Sequence, residues 1–275
     1  MKRIFKLLTL CFMLCSCCLA AYAQSPVDTG KSTSSLDDIF KRHGVNGTIV
    51  IYDVQKNGYY LHNAKRAAQR FYPASTFKIF NSLIALKTGT VKNVDEYFYK
   101  YTGEPVYLES WKNDANLRYA IKRSQVPAYK ELARRIGLPA MQANINILQY
   151  GNMDIGTGID TFWLEGPLQI SALEQVQLLT KLAQKKLPFS QSAQEQTADI
   201  TILKQTPEYT LHGKTGWATD NINVPVGWFI GWAETKDTTC VFALNMDLAD
   251  AKDLPLRESI TLECLSTLKL LPDVL

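Results

Sequence analysis

The chain has 275 residues, 46% of them hydrophobic and 20% charged, which is the composition of a folded globular protein with room for a sizeable core. A mainly disordered, collagen-like or coiled-coil chain is excluded. The formal charge is +4, but Lys2, Arg3 and Lys6 stand in the first 23 residues, which hold no acid; without those three the body carries 27 basic against 26 acidic residues and offers no electrostatic footprint for nucleic acid.

The three basic residues precede a mostly apolar run over residues 7–21, and Ala21-Tyr22-Ala23 has the small-x-small form of a signal-peptidase site. Residues 1–23 therefore read as an export signal removed after Ala23, with a periplasmic or secreted product. The run is short for a membrane span, and no later stretch is long and apolar enough for one. Leu14-Cys15-Ser16-Cys17 loosely fits a lipoprotein box, so a lipid on Cys17 is the lesser alternative. Of the six cysteines only Cys240 and Cys264 follow residue 23, and they are expected to be buried in a strand and a helix. No zinc-ligand spacing occurs, so no metal is predicted.

In chain order, residues 48–53 are a β-branched run, Asn57-Gly58 marks a turn and residues 59–62 return, which predicts a hairpin. Residues 75–87 form a helix with little polar surface, ended by Gly89. From about 90 to 205 the patterns are mostly helical, as in 171–184. Strands follow at 209–212 and onward, at 226–233 and at 239–247, with a turn at 234–237 and a last helix from Pro255 to about Leu270. The expected fold is α+β: an antiparallel sheet flanked by helices, with an inserted all-α lobe. Residues 24–275 would be one unit, the sheet part coming from 24–65 and 205–275 and the lobe from about 66–204. A cleft between the two is the expected site.

The three histidines, His43, His62 and His212, sit in no hydrolase elbow, and Gly-x-Ser-x-Gly, HExxH, GxGxxG and P-loop patterns are absent. What remains is a serine–lysine pairing. In Ser75-Thr76-Phe77-Lys78 the i, i+3 spacing puts Ser75 and Lys78 on one helix face. At the helix N-terminus the Ser75 N–H is free to stabilise an oxyanion. Phe77, Ile79 and Phe80 surround Lys78 with apolar groups, and desolvation lowers a lysine pKa. A drop to near 7.4 costs roughly 4 kcal/mol and yields an amine able to act as a base. Ser-x-x-Lys recurs at Ser266 and Lys-Thr-Gly at Lys87, but those copies lie deep in a helix and at a helix end. Lys214-Thr215-Gly216 instead follows a strand, where Gly216 allows a substrate close to the strand edge and Thr215 and Lys214 would bind a carboxylate and pass protons.

The ordered set Ser75-x-x-Lys78, Ser124-x-Val126, Tyr150-Gly151-Asn152 and Lys214-Thr215-Gly216 resembles the penicillin-recognising serine enzymes, and within them the class D β-lactamases, or oxacillinases. Ser124-Gln125-Val126 has the class D form of the middle motif, and residues 162–168 resemble the class D loop. The likeness covers essentially all of the chain after the signal. It implies a serine acyl-enzyme that hydrolyses penicillin-type antibiotics and so confers resistance, with Lys78 carboxylated by CO2 as general base and no other cofactor. It further implies that the Trp163 indole holds the carbamate beneath an apolar wall from Val126. Ser124, with Lys214 behind it, would relay a proton to the lactam nitrogen. The N–H groups of Ser75 and Trp217 would form the oxyanion hole, and Arg257 would hold the substrate carboxylate with Thr215 and Gly216 beside it. Tyr150 and Asn152 mark the site without assigned roles, and Glu165 reads as structural. The alternatives are a D,D-peptidase and a membrane-attached penicillin sensor, both acylated but slow to deacylate. The partner is a small β-lactam; neither the drug spectrum nor the oligomeric state is legible.

Overall fold

The computed structural model describes residues 33–219, 223–248 and 250–272, and in it both chain ends build one sheet. Helix α1 (Ser34–His43) buries Leu36, Ile39 and Phe40 and stops at Gly44. Strands β1 (Gly47–Asp53) and β2 (Gly58–His62) form the expected hairpin. After α2 (Ala64–Ala67) and β3 (Arg70–Phe71), the helix expected at 75–87 is a 3-10 turn, Ala74–Phe77, feeding α3 (Lys78–Thr88), which ends at Gly89. The lobe continues with α4 (Leu117–Lys122), α5 (Val126–Ile136) and α6 (Leu138–Leu148). Strand β4 (Ile170–Ser171) pairs with β3 as a small ribbon. Next come α7 (Ala172–Ala183), opened by a Ser171–Glu174 capping box, and α8 (Gln191–Ile200). Strands β5 (Ile202–Gln205), β6 (Tyr209–Ala218), β7 (Val226–Thr235) and β8 (Thr239–Asp247) then lead to α9 (Leu256–Thr267).

The large sheet runs β2-β1-β8-β7-β6-β5 and is antiparallel throughout. Its central strands are buried on both faces, and the period of two sorts their side chains. Trp228, Ile230 and Trp232 of β7 join Val50, Val241 and Ala243 in the core shared with the lobe. Phe229, Phe242 and Leu244 face the other way, into the core beneath α1 and α9. The α+β architecture expected from the sequence is the one observed. Residues 202–205, read as the end of the helical stretch, are instead an edge strand: all four are exposed, so no alternation marks them, and pairing with Thr210–His212 holds them. Helix α7 lies within the lobe's sequence range yet packs on β1, β7 and β8.

Cys240 on β8 and Cys264 on α9 are buried and unpaired, and burial pushes both thiols up to about 12, so neither is a ready nucleophile. Among the described residues, no helix is long and apolar enough to cross a membrane. The signal reading of residues 1–23, cleavage at Ala23 and the Cys17 alternative lie outside the described residues.

Candidate active site

The chain enters the site under strain. Ala74 takes a left-handed backbone, φ 47, which costs a side-chain-bearing residue about 1–2 kcal/mol. Its N–H donates to the Trp163 carbonyl at 2.9 Å, and the 3-10 turn then presents Ser75 half-exposed in a stretch that is otherwise buried from Pro73 to Ala85. Thr76 is locked behind it: its hydroxyl donates to the Pro73 carbonyl at 2.6 Å and accepts from the Gln175 amide at 3.0 Å.

Lys78 is wholly buried, and its Nζ lies 2.7 Å from Ser75 Oγ. Burial first, and the nearby Lys214 charge second, hold its pKa well below the ordinary lysine value. The Nζ sits 5.4 Å from the centroid of the Tyr129 ring on α5, and the Tyr129 hydroxyl pairs with Ser82 of α3 at 2.7 Å. Val126 opens that same helix one turn earlier, and Ser124 stands just before it at φ 51, its backbone closing the end of α4. The Gln125 amide donates to the carbonyls of Trp111 and Asn113, both at 2.9 Å, which ties the 108–114 segment to this loop. The Ser124 hydroxyl makes no hydrogen bond to Ser75 or Lys78.

The opposite wall is β6. Strand β5 flanks it only as far as His212, and the Gly213 N–H donates to the Thr201 carbonyl at 2.9 Å, so the edge from Lys214 to Ala218 is free of strand pairing on that side. Gly216 lies against the 3-10 turn: a Cβ there would sit 3.0 Å from Thr76 Cγ2 and 3.1 Å from the Pro73 carbonyl oxygen. The glycine brings the strand up to the serine-bearing turn, a packing need beyond the substrate approach inferred from sequence. Lys214 is buried, with Nζ 2.9 Å from the Thr215 carbonyl, and burial, then the Arg257 charge, lower its pKa to about 7 against the opposing pull of Glu258. Arg257 is 8% exposed, so it is no solvated helix charge; its Nη1 donates to the Gly216 carbonyl at 2.7 Å and its Nε to Leu254 at 2.8 Å. Burial lowers it to about 10. Thr215 and Trp217 are half-exposed, and the Trp217 indole donates to the Leu248 carbonyl at 3.0 Å.

Trp163 is wholly buried against Phe77 and Phe162, and its Nε1–H has no hydrogen-bond partner. An unpaired buried donor costs about 1–3 kcal/mol. CO2 adds only to a neutral amine and the carbamate it forms needs hydrogen-bond donors, so a dry lysine and a buried indole N–H without a partner are groups of the kind such a modification would use. Tyr150 packs edge-on against Phe77 and Phe80, and burial raises its hydroxyl far above the ordinary phenol range. Asn152 bridges Pro167 and Gln169, while Gly151, at φ 54, leaves room for a Gln169 carbonyl only 1.9 Å from where a Cβ would stand. This motif shapes the loop under the site. Gln125, Thr76 and Gln175 carry weight that the sequence did not signal, because amide and hydroxyl side chains look alike until their partners are known.

The histidines stand apart from this centre: His43 pairs with Glu263, His62 with Asp37, and His212 stacks on Trp232 at 4.3 Å.

Residues 47–266 match the family described as the penicillin binding protein transpeptidase domain. The β-lactamase OXA-48 of Klebsiella pneumoniae is 40% identical over 85% of this chain and 87% of its own length. The crystal structure of FUS-1 (OXA-85), a class D β-lactamase from Fusobacterium nucleatum subsp. polymorphum, superposes with a TM-score of 0.86 at 57% identity, covering 86% of this chain and 98% of that one. The regulatory protein BlaR1 of Bacillus licheniformis is 34% identical over 75% of this chain, which spans 34% of BlaR1.

Proposed function

This chain belongs to the class D β-lactamases and is a serine β-lactamase, and we propose that it opens the lactam ring of penicillin-type antibiotics through an acyl-enzyme on Ser75, with a carboxylated Lys78 as general base. One observation carries the reading: a fully buried lysine Nζ lies 2.7 Å from the serine oxygen, with no imidazole in attendance.

Ser75 Oγ attacks the lactam carbonyl as its proton passes to the base that the Lys78 side chain would provide. The Ser75 N–H, free at the head of the turn, and the Trp217 N–H on the open strand edge bind the developing oxyanion; one such donor is worth about 100- to 1,000-fold. Ser124 hands a proton to the departing nitrogen, with Lys214 behind it. Lys214, Thr215 and Arg257 bind the ring carboxylate. Val126 would keep water away from Lys78, and the Trp163 indole would be the donor for a carboxyl group carried on Lys78. Such a group would supply an anionic base at neutral pH for both acylation and deacylation. The basic and apolar leader supports export to the periplasm.

The likeness to BlaR1 favours a second reading, a sensor that is acylated and stays so. Mixing the protein with a chromogenic cephalosporin separates them. The expected result is many turnovers per Ser75; a single stoichiometric burst would point to the sensor or to a D,D-peptidase.

A further inference from the structure

The cleft beside Lys214 and Thr215 is also lined by Arg118, Lys122, Asp199 and Glu258. Two of these four charges are tied up locally, since Arg118 of α4 pairs with Asp199 of α8 at 2.6 Å and also with Asp95 at 2.9 Å. Glu258 and Lys122 have neither an ion pair nor a side-chain hydrogen bond among the described residues, and both are exposed. Lys122 belongs to the helical lobe. Glu258 follows Arg257 on α9 and stands on the sheet side of the cleft, close enough to act electrostatically on both Lys214 and Arg257.

This is an unusual neighbour for a carboxylate anchor. An acid beside the two cations that would hold a substrate anion opposes that anion unless something positive comes with it. In a bicyclic β-lactam the ring carboxylate and the next ring substituent are on adjacent carbons. A carboxylate held by Lys214, Thr215 and Arg257 therefore carries that substituent along the wall where Glu258 stands. We propose that Glu258 is a specificity-determining residue: it selects β-lactams that bear a cationic group next to the ring carboxylate and disfavours those that bear a second anion there. The inference rests on the β-lactamase reading and on the carboxylate-binding role given above to Lys214, Thr215 and Arg257.

Glu258 also lies in the first turn of α9, where an acid stabilises the helix dipole. A helix-stabilising role alone would treat every substrate alike, so the test is a ratio. Two cephalosporins with the same acylamino side chain, one with a pyridiniummethyl group and one with a carboxylate-bearing group at the position next to the ring carboxylate, compete against a chromogenic reporter. Glu258→Gln is expected to weaken the cationic compound about three- to fivefold and to strengthen the dianionic one by a similar factor, the size of an exposed charge contact. Glu258→Asp should keep the parent preference, and the difference between parent and Glu258→Gln should shrink at 1 M salt. Equal effects on both compounds, or a ratio unchanged by Glu258→Gln while the reporter is still turned over, would overturn the role of Glu258 and leave the β-lactamase reading intact. A parent protein that turns over no reporter would remove both.

Discussion

Replacing Lys78 with alanine is expected to lower steady-state penicillin hydrolysis by about 100- to 10,000-fold, the usual worth of a positioned general base. The side chain is buried and touches Ser75, so its loss removes the only base that hydrogen-bonds the nucleophile among the described residues. Deacylation should suffer at least as much as acylation, because water has no other activator there. The penicillin adduct on Ser75 should then accumulate, and intact-mass measurement would show it as a persistent increment on the variant and none on the parent at the end of the reaction. Normal turnover by Lys78→Ala would contradict the assignment. Removing the lysine also relieves the cost of burying an amine, so the melting temperature is expected to hold or rise, which separates the chemical loss from unfolding.

Ser75→Ala should be more severe, with a loss on the order of 10^6 in kcat, as for nucleophiles that act as a unit with their base. Ser75 is half-exposed and its hydroxyl's partner is Lys78, so the fold should tolerate the change. No covalent adduct should form with any penicillin. An adduct of the correct mass on this variant would mean that another hydroxyl, with Ser124 the first to check, is the nucleophile.

The pieces that carry short-range signals were legible in the sequence. Asn57-Gly58 announced the hairpin, Gly89 the end of the buried helix, and the turn at 234–237 the joining of the last two strands. The serine–lysine pair was legible because i, i+3 spacing is a local property. Helix α1 is short, and Leu36, Ile39, Phe40 and Gly44 are its whole signal, while β5 has none because an exposed edge strand has no buried face to pattern. What no local reading supplies is the convergence of distant parts. Trp163 is 88 residues from Ser75, yet its carbonyl holds Ala74 in a strained conformation. Gly216 makes contact with Thr76 from across the sheet, and Arg257 reaches Gly216 from the last helix. The depressed lysines have the same origin, since burial by residues far apart in sequence dominates both shifts.

If the Lys78 amine is dry enough to stay neutral and take up carbon dioxide, carbon-13 NMR of the folded protein in labelled bicarbonate detects the product directly. A single slow-exchanging carbamate resonance is expected on the parent protein, fading as the pH is lowered and the amine regains its proton, and missing from Lys78→Ala. A spectrum without that resonance, or one in which Lys78→Ala retains it, would contradict the account.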